Sequence, residues 1–313
     1  MRSSYSRPLN TPTAVQDFLQ NSLQYPDCKD FDNVVSKIIK GELGLSEING
    51  KSPTLHNSTF RNSKFKTDSS RWKLRKQIVN ELYTMERLDS DENIKLKSGG
   101  ALPKSGAKHK SQAFLITGLP ASGKSSISVE VAEKGGAVIL DSDFAKRKLP
   151  EYKYYEFGGT VVHEESDSLI FGYNASDKPT DFECLLEKCA KLHQNICIPK
   201  IGYDSESLLQ LCKGLKRYNY EIHFILVSLD RKLATIRAII RYLKTKRYIP
   251  LGLIFDGYGN DPDIAYYKLR ELNKKDKIFK TMGQLSTDVP IGTPPIIIDS
   301  CGKSPVLKIG IKK

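Results

Sequence analysis

The sequence predicts an α/β fold: a parallel sheet with helices on both faces and an N-terminal helical extension. Three observations carry this reading. Residues Gly118 to Ser125 read G-L-P-A-S-G-K-S directly after the apolar run Ala113–Thr117. Beyond that run, apolar strand-like segments alternate with helical patterns, which implies parallel strands joined by crossover helices. The second segment ends in Asp141-Ser142-Asp143, and a parallel sheet presents its ligand-facing residues at the carboxyl ends of strands.

The elements follow in order. Residues 1–65 are rich in Ser, Asn, Pro and Lys, with short helical patterns around Val15–Leu23 and Phe31–Ile39. The remainder through Ser63 has no clear period and reads as a loose connector. This divides the chain into an extension, 1–65, and one phosphate-handling domain, 66–313. Asp68, Ser69 or Ser70 starts a helix whose buried face is Leu74, Ile78, Leu82 and Met85. Residues 97–111 form a loop rich in Gly and Lys, either a linker or a flap over the glycine motif. Strands are expected at Ala113–Thr117, Ala137–Leu140, Asn195–Pro199, Ile222–Val227 and Pro295–Ile298. Helices are expected near Ser125–Glu133, Phe182–Leu192, Ser205–Arg217 and Arg231–Leu243.

Composition narrows the class. With 39% hydrophobic and 27% charged residues the 313-residue chain suits a soluble globular protein. It has no apolar run of about 18 residues to span a membrane. The N-terminus lacks the apolar core of a signal peptide, so a cytoplasmic location is expected. The net charge of +13 contains no run of five basic residues. It suits anionic small molecules at least as well as nucleic acid. The six cysteines form no C-x-x-C, so buried free thiols are expected rather than a zinc site.

The glycine motif has the spacing of a phosphate-binding P-loop. Backbone N–H groups of Gly118, Leu119, Pro120-Ala121, Ser122 and Gly123 would wrap a phosphate chain, proline itself contributing none. Lys124 would place its charge on the outer phosphates, and the Ser125 hydroxyl would ligate Mg²⁺. Ser125 and Ser126 open a helix whose positive end faces the same anion. The partner set expected is therefore ATP or GTP with Mg²⁺. Of the two aspartates, Asp141 and Asp143, one would approach Mg²⁺ while the other faces the acceptor and takes the proton of its hydroxyl. A helix N-cap is the competing use of Asp143.

Three polar groups surround this centre. Lys146, Arg147 and Lys148 follow within one turn, as acceptor-phosphate ligands or as a solvated face. Arg237 and Arg241, four apart, share a helical face opposite Ile236, Ile239 and Ile240. With Arg247 they form a basic lid over transferring phosphate, since arginine forks meet its equatorial oxygens. His163 and Glu164 fall between the second and third strands, where small kinases bind their acceptor; a helix start is the alternative.

Together G-L-P-A-S-G-K-S, D-S-D-F-A-K-R-K, V-H-E-E-S and L-A-T-I-R-A-I-I-R resemble the zeta toxin family of P-loop kinases, over roughly Ser69 to Ser300. The resemblance implies a P-loop kinase-like fold and phosphorylation of a small hydroxyl acceptor by ATP or GTP. It names UDP-N-acetylglucosamine, or NAD as in a related plant-pathogen effector, as acceptors, and a protein antitoxin as partner. It matches Lys124 to the P-loop lysine, Asp143 to the catalytic base, and Arg237 or Arg241 with Arg247 to lid arginines. One departure stands at the third strand, which ends Ile198-Pro199-Lys200-Ile201-Gly202 where the family places a carboxylate. Lys200 would suit an additional acceptor phosphate. The rival class is an NTP-driven switch, a nucleic-acid-binding ATPase or a polynucleotide kinase.

Overall fold

Strands β1 (Gln112–Thr117), β2 (Ala137–Ile139), β3 (Asn195–Pro199), β4 (Glu221–Ser228), β5 (Phe279–Ser286) and β6 (Ile296–Cys301) form one sheet in the order β2-β3-β1-β4-β5-β6. The computed structural model describes residues 7–26, 30–48, 54–154, 158–172, 182–290 and 292–303. The first five strands are parallel, and β6 runs antiparallel at the edge. Helices cover both faces, so the inner strands are buried on both sides. Leu115, Ile116, Ile196, Ile198 and Phe224 to Leu226 are fully buried, which explains their continuous apolar runs. Chain order doubles back at β1, whose neighbours are β3 and β4. That reversal opens a crevice at the carboxyl ends of the strands.

The helices are α1 (Pro12–Asp17), α2 (Phe31–Ile48), α3 (Asp68–Thr84), α4 (Lys124–Gly135), α5 (Ser142–Lys148) and α6 (Glu151–Tyr154). Then follow α7 (Gly158–Val161), α8 (His163–Phe171), α9 (Leu185–Lys191), α10 (Ser205–Arg217), α11 (Arg231–Thr245) and α12 (Asp261–Asp276). Helix α10 has the predicted bounds, and its buried residues Leu208, Cys212 and Leu215 keep helical spacing. The cap of α3 is Thr67, whose hydroxyl accepts from Ser70 N at 3.3 Å, rather than Asp68, Ser69 or Ser70.

Strand β5 and helix α12 escape the sequence reading, as do the one-turn helices α6 and α7. Strand β5 reads F-K-T-M-G-Q-L-S, too polar to signal a buried strand. Its polar side chains are satisfied by neighbours instead of by water. The Thr281 hydroxyl lies 2.8 Å from His223 Nδ1, and Gln284 Oε1 accepts from Tyr267 Oη at 2.8 Å. Helix α12, which supplies Tyr267, was likewise unmarked. The late strand lies one residue beyond its predicted start, and its isoleucines Ile296 and Ile298 are exposed.

The N-terminal segment is integrated rather than loose. Leu9, Val15, Phe18, Leu19, Leu23, Val34, Val35 and Ile38 form one buried cluster with Leu119 of the glycine loop and Ala234, Ala238 and Ile239 of α11. The stretch predicted as a connector is also tied down. Arg61 Nε donates to Thr54 O at 2.8 Å, and Arg61 pairs with Asp68 at 2.7 Å. A buried ion network then fixes α8 against α3. Arg71 pairs with Glu151 at 2.8 Å and Glu165 at 2.6 Å, and Arg75 pairs with Glu165 at 2.7 Å. The 97–111 loop packs at the end of α3 and beside β2, through Ala101 N to Leu82 O and Ile139 N to Ala101 O. It forms no part of the walls of the crevice.

Candidate active site

The glycine loop leaves β1 with Gly118 at φ +149°. A Cβ there would lie 2.3 Å from the Val227 carbonyl oxygen, so only glycine lets the loop turn this close to β4. Gly123, at φ +87°, is the N-cap of α4. Lys124 then opens the helix and folds back, donating to the carbonyls of Gly118 and Leu119 at 2.6 Å each. Burial pushes its ammonium down to about 7, because an apolar surround disfavours the charged form. Pro120 and Ala121 line the crevice and Ser126 is exposed on the first turn of α4. Ser122 is buried, its Oγ without a hydrogen-bond partner among the described residues. The Leu119 side chain faces away, into the cluster with the N-terminal helices.

Two cavities meet at this loop, of about 760 and 360 Å³, and Lys124, Ser125, Asp141, Asp143, Arg241 and Arg247 line both. Asp141 is the N-cap of α5, its carboxylate accepting from Asp143 N at 2.9 Å. Capping therefore falls to Asp141, the residue predicted for metal, while Asp143 stands in the first turn. Asp143 pairs with Lys146 at 2.9 Å and with Arg247. Burial opposes the charge of Asp143, but Lys146, Arg247 and Arg147 outweigh it and hold the carboxyl well below the usual range. Burial, then the neighbouring Asp143 charge, pushes Asp141 up to about 6.

The far wall of the larger cavity carries Lys146, His163, Asp167, Phe171 and Lys200. Lys200 Nζ lies 3.3 Å from Asp167 Oδ1 and 3.7 Å from the centroid of the Phe171 ring. Ser142 Oγ donates to Asp167 at 2.7 Å. Burial and the charge of Lys146 lower the pKa of His163. Three predicted acceptor ligands stand elsewhere. Lys148 is neither an acceptor ligand nor part of a solvated face: it is buried and pairs with Glu81 at 2.8 Å. Glu164 is exposed and lines neither cavity, because the face that α8 turns to the larger cavity carries His163, Asp167 and Phe171, four apart. Arg147 turns into the smaller cavity, away from Lys200, drawn by its ion pair with Glu92 at 3.0 Å. Asp167 was missed, although its i+4 spacing from His163 was a readable signal.

The arginines of α11 line the smaller cavity. Arg237 donates to the Thr287 carbonyl at 2.9 Å, and Thr287 Oγ1 donates to the Ser122 carbonyl at 2.7 Å. This residue after β5 links the arginine helix to the glycine loop, and nothing in the sequence marked it. Arg241 Nε is buried without a hydrogen-bond partner among the described residues. Burial and the nearby Arg247 lower the pKa of Arg241, against the charges of Asp143 and Glu92. The opposite face of α11 buries Ala234, Ala238 and Ile239, whereas Ile240, predicted apolar, is 42% exposed.

For Mg²⁺ the residues at hand are the Ser125 hydroxyl and the Asp141 carboxylate. The described residues hold no cluster of three or more His, Cys, Asp or Glu able to grip a metal unaided. One carboxylate and one hydroxyl beside a phosphate loop fit an ion that takes its remaining ligands from substrate phosphates and water.

A glycine loop at the switch point of a parallel sheet, an aspartate beside it and an arginine helix across it define a P-loop phosphotransferase of the kinase type. Residues 101–260 match the zeta toxin family, about half the chain, and the protein belongs to that family. The fold is similar to that in the PezAT chromosomal toxin–antitoxin system of Streptococcus pneumoniae. That likeness has a TM-score of 0.53 and 16% identity, over 80% of this chain and 88% of that one. The AvrRxo1-ORF1:AvrRxo1-ORF2 structure with ATP gives a TM-score of 0.49 at 13% identity, covering 77% of this chain and 70% of that chain. A gluconokinase from Sinorhizobium meliloti 1021 gives 0.30 at 12% identity, over 58% and 86%. No curated protein matches. No helix among the described residues is long and apolar enough to cross a membrane.

Proposed function

We propose that the protein transfers the γ-phosphoryl group of ATP or GTP to a hydroxyl of an anionic small molecule, either a nucleotide-sugar such as UDP-N-acetylglucosamine or the dinucleotide NAD. The observation that carries this reading is the shared wall of the two cavities. Donor loop, aspartates and two arginines face both spaces, so a donor on the smaller side and an acceptor on the larger would meet at Asp143. Lys124 would leave its two carbonyls for the outer phosphates. Arg241 would gain the anion its buried Nε lacks, and Arg237 would join it. The charge of the moving phosphoryl group would then be met by cations already in place. Ser125 and Asp141 would hold Mg²⁺, which supplies neutralisation of the phosphate oxygens.

Asp143 would orient the acceptor hydroxyl and take its proton. Its low proton affinity suits a loose transition state, in which the proton leaves late and positioning matters most. Incoming phosphates would compete for Arg247 and Lys146 and so release the carboxylate. Across the larger cavity, Lys146, His163 and Lys200 would hold acceptor phosphate, while Asp167 would accept from acceptor hydroxyls. Family membership makes a protein antitoxin the proposed partner, as in the toxin–antitoxin system of similar fold.

The test is a competition assay offering UDP-N-acetylglucosamine, NAD, a 5′-hydroxyl oligonucleotide and a neutral aminosugar together with labelled ATP. Label should enter the nucleotide-sugar or the dinucleotide, and Lys200→Glu should reduce it. Preferential labelling of the aminosugar would remove the anionic acceptor; labelling of the oligonucleotide would move the protein to the polynucleotide kinases.

A further inference from the structure

Arg247 lies beyond its helix. The C-cap of α11, Lys246, takes a left-handed φ of +58°, so no helical ladder fixes the residues that follow. What fixes them comes from the N-terminal segment. Gly41 of α2 lies so close to Tyr248 that a Cβ at that position would stand 2.8 Å from the ring. Tyr248 Oη donates to the carboxylate of the adjacent Glu42, which is 2% exposed. Tyr242, in the last turn of α11, packs edge-on against the Tyr248 ring at 4.9 Å and donates its hydroxyl to Lys37 O of α2 at 3.0 Å. Further along, Arg7 pairs with Asp256 at 3.0 Å, and Phe18 meets Phe255 edge-on at 5.4 Å. The segment from Arg231 to Tyr258 thus rests on the N-terminal segment at Tyr242, Tyr248, Phe255 and Asp256.

We infer that α2 is a built-in brace of the arginine lid and that Tyr248 is the positioning residue for Arg247, acting through the peptide bond they share. The tyrosine ring is gripped on one side by a glycine that leaves no slack and on another by Tyr242. Its hydroxyl is fixed by a buried acceptor, so its backbone has little freedom. Arg247, one residue away, is thereby aimed at Asp143 and at both cavities. Without the brace, an arginine on a chain past its helix end would sample many directions, and ordering it would fall to the transition state. This inference rests on the proposed phosphotransfer for its kinetic consequence, but not for its structural one.

Two full-length variants test it: Tyr248→Ala removes the ring, and Gly41→Ala displaces it with every lid residue unchanged. Hydrogen exchange read by mass spectrometry should rise about tenfold or more in peptides covering 246–258, with β1, α4 and the part of α11 that carries Arg237 and Arg241 unaltered. ATP turnover with UDP-N-acetylglucosamine or NAD as acceptor should fall about tenfold in kcat, with KM for ATP within about twofold. In an Arg247→Ala background, Tyr248→Ala should add no further loss, since a residue acting only through another is silent once that one is gone. Unchanged exchange over 246–258, or losses that multiply in the double variant, would overturn the brace. Absence of turnover by the wild-type protein with either acceptor would instead count against the phosphotransfer reading, and the exchange result alone would then decide the brace.

Discussion

At the level of single residues, most charges of the site are met by the backbone or by opposite charges. Lys124 is satisfied by two carbonyls, Asp143 by two cations, while Arg241 has an unmet buried Nε. Asp143→Asn should therefore bind nucleotide as well as the wild type while transfer falls by about a hundredfold or more, the usual cost of losing a general base. Equilibrium binding with a nonhydrolysable ATP analogue, beside a transfer assay, separates the two effects. Full transfer by Asp143→Asn would shift the role to Asp141. Lys124 also predicts a proton signature. Its ammonium, at about 7 in the free protein, should rise when phosphate replaces carbonyls as its partner. Nucleotide binding should then take up nearly one proton at pH 8 and almost none at pH 6. Calorimetry in buffers of different ionisation enthalpy reads this uptake, and a pH-independent value would contradict it.

At the level of elements, two helices place the chemistry, and they were legible to different degrees. The Arg237 and Arg241 face of α11 was readable because a four-residue spacing decides it. Arg241→Ala should lower kcat about a hundredfold with little change in KM for ATP, as for a group that meets charge present only during transfer. Steady-state kinetics checks it; a rise in KM at constant kcat would make the helix a ground-state clamp. Helix α8 was legible in part: His163 stands at the cavity as expected, whereas Glu164 does not. The adjacent Glu165 points to Arg71 and Arg75, and this burial turns His163 and Asp167 toward the cavity. Charged residues gave no apolar stripe from which to read the phase of the helix. Burial opposes the Glu165 charge, yet the Arg71 and Arg75 pairs hold its pKa at about 2. A depressed carboxylate stabilises the fold above its unfolded value near 4.5 and loses that contribution as pH falls toward 2. Glu165→Gln should destabilise by about 3–5 kcal/mol at pH 7, the cost of breaking a buried pair. Denaturant titration should show the gap to wild type narrowing at pH 3; a gap that is constant with pH, or none, would deny the network its role.

At the level of the whole molecule, the parallel sheet and the glycine loop were readable from local pattern, because strands buried on both faces must be apolar and a phosphate loop must be glycine-rich. What was not readable depends on distant partners. Strand β5 hides its polar residues against β4 and α12, Thr287 couples the glycine loop to Arg237 of α11, and the N-terminal helices bury themselves on α11. The apolar face of such a helix acquires meaning only from the surface it covers. The central claim is that this surface, loop and lid together transfer phosphate to a small molecule. It is tested most directly by incubating a metabolite extract with ATP, Mg²⁺ and either the wild-type protein or Lys124→Ala, followed by mass spectrometry. The account predicts an anionic metabolite that gains one phosphate with the wild-type protein and not with Lys124→Ala. ATP consumed to free phosphate with no metabolite gaining mass, or equal gain with both proteins, would contradict it.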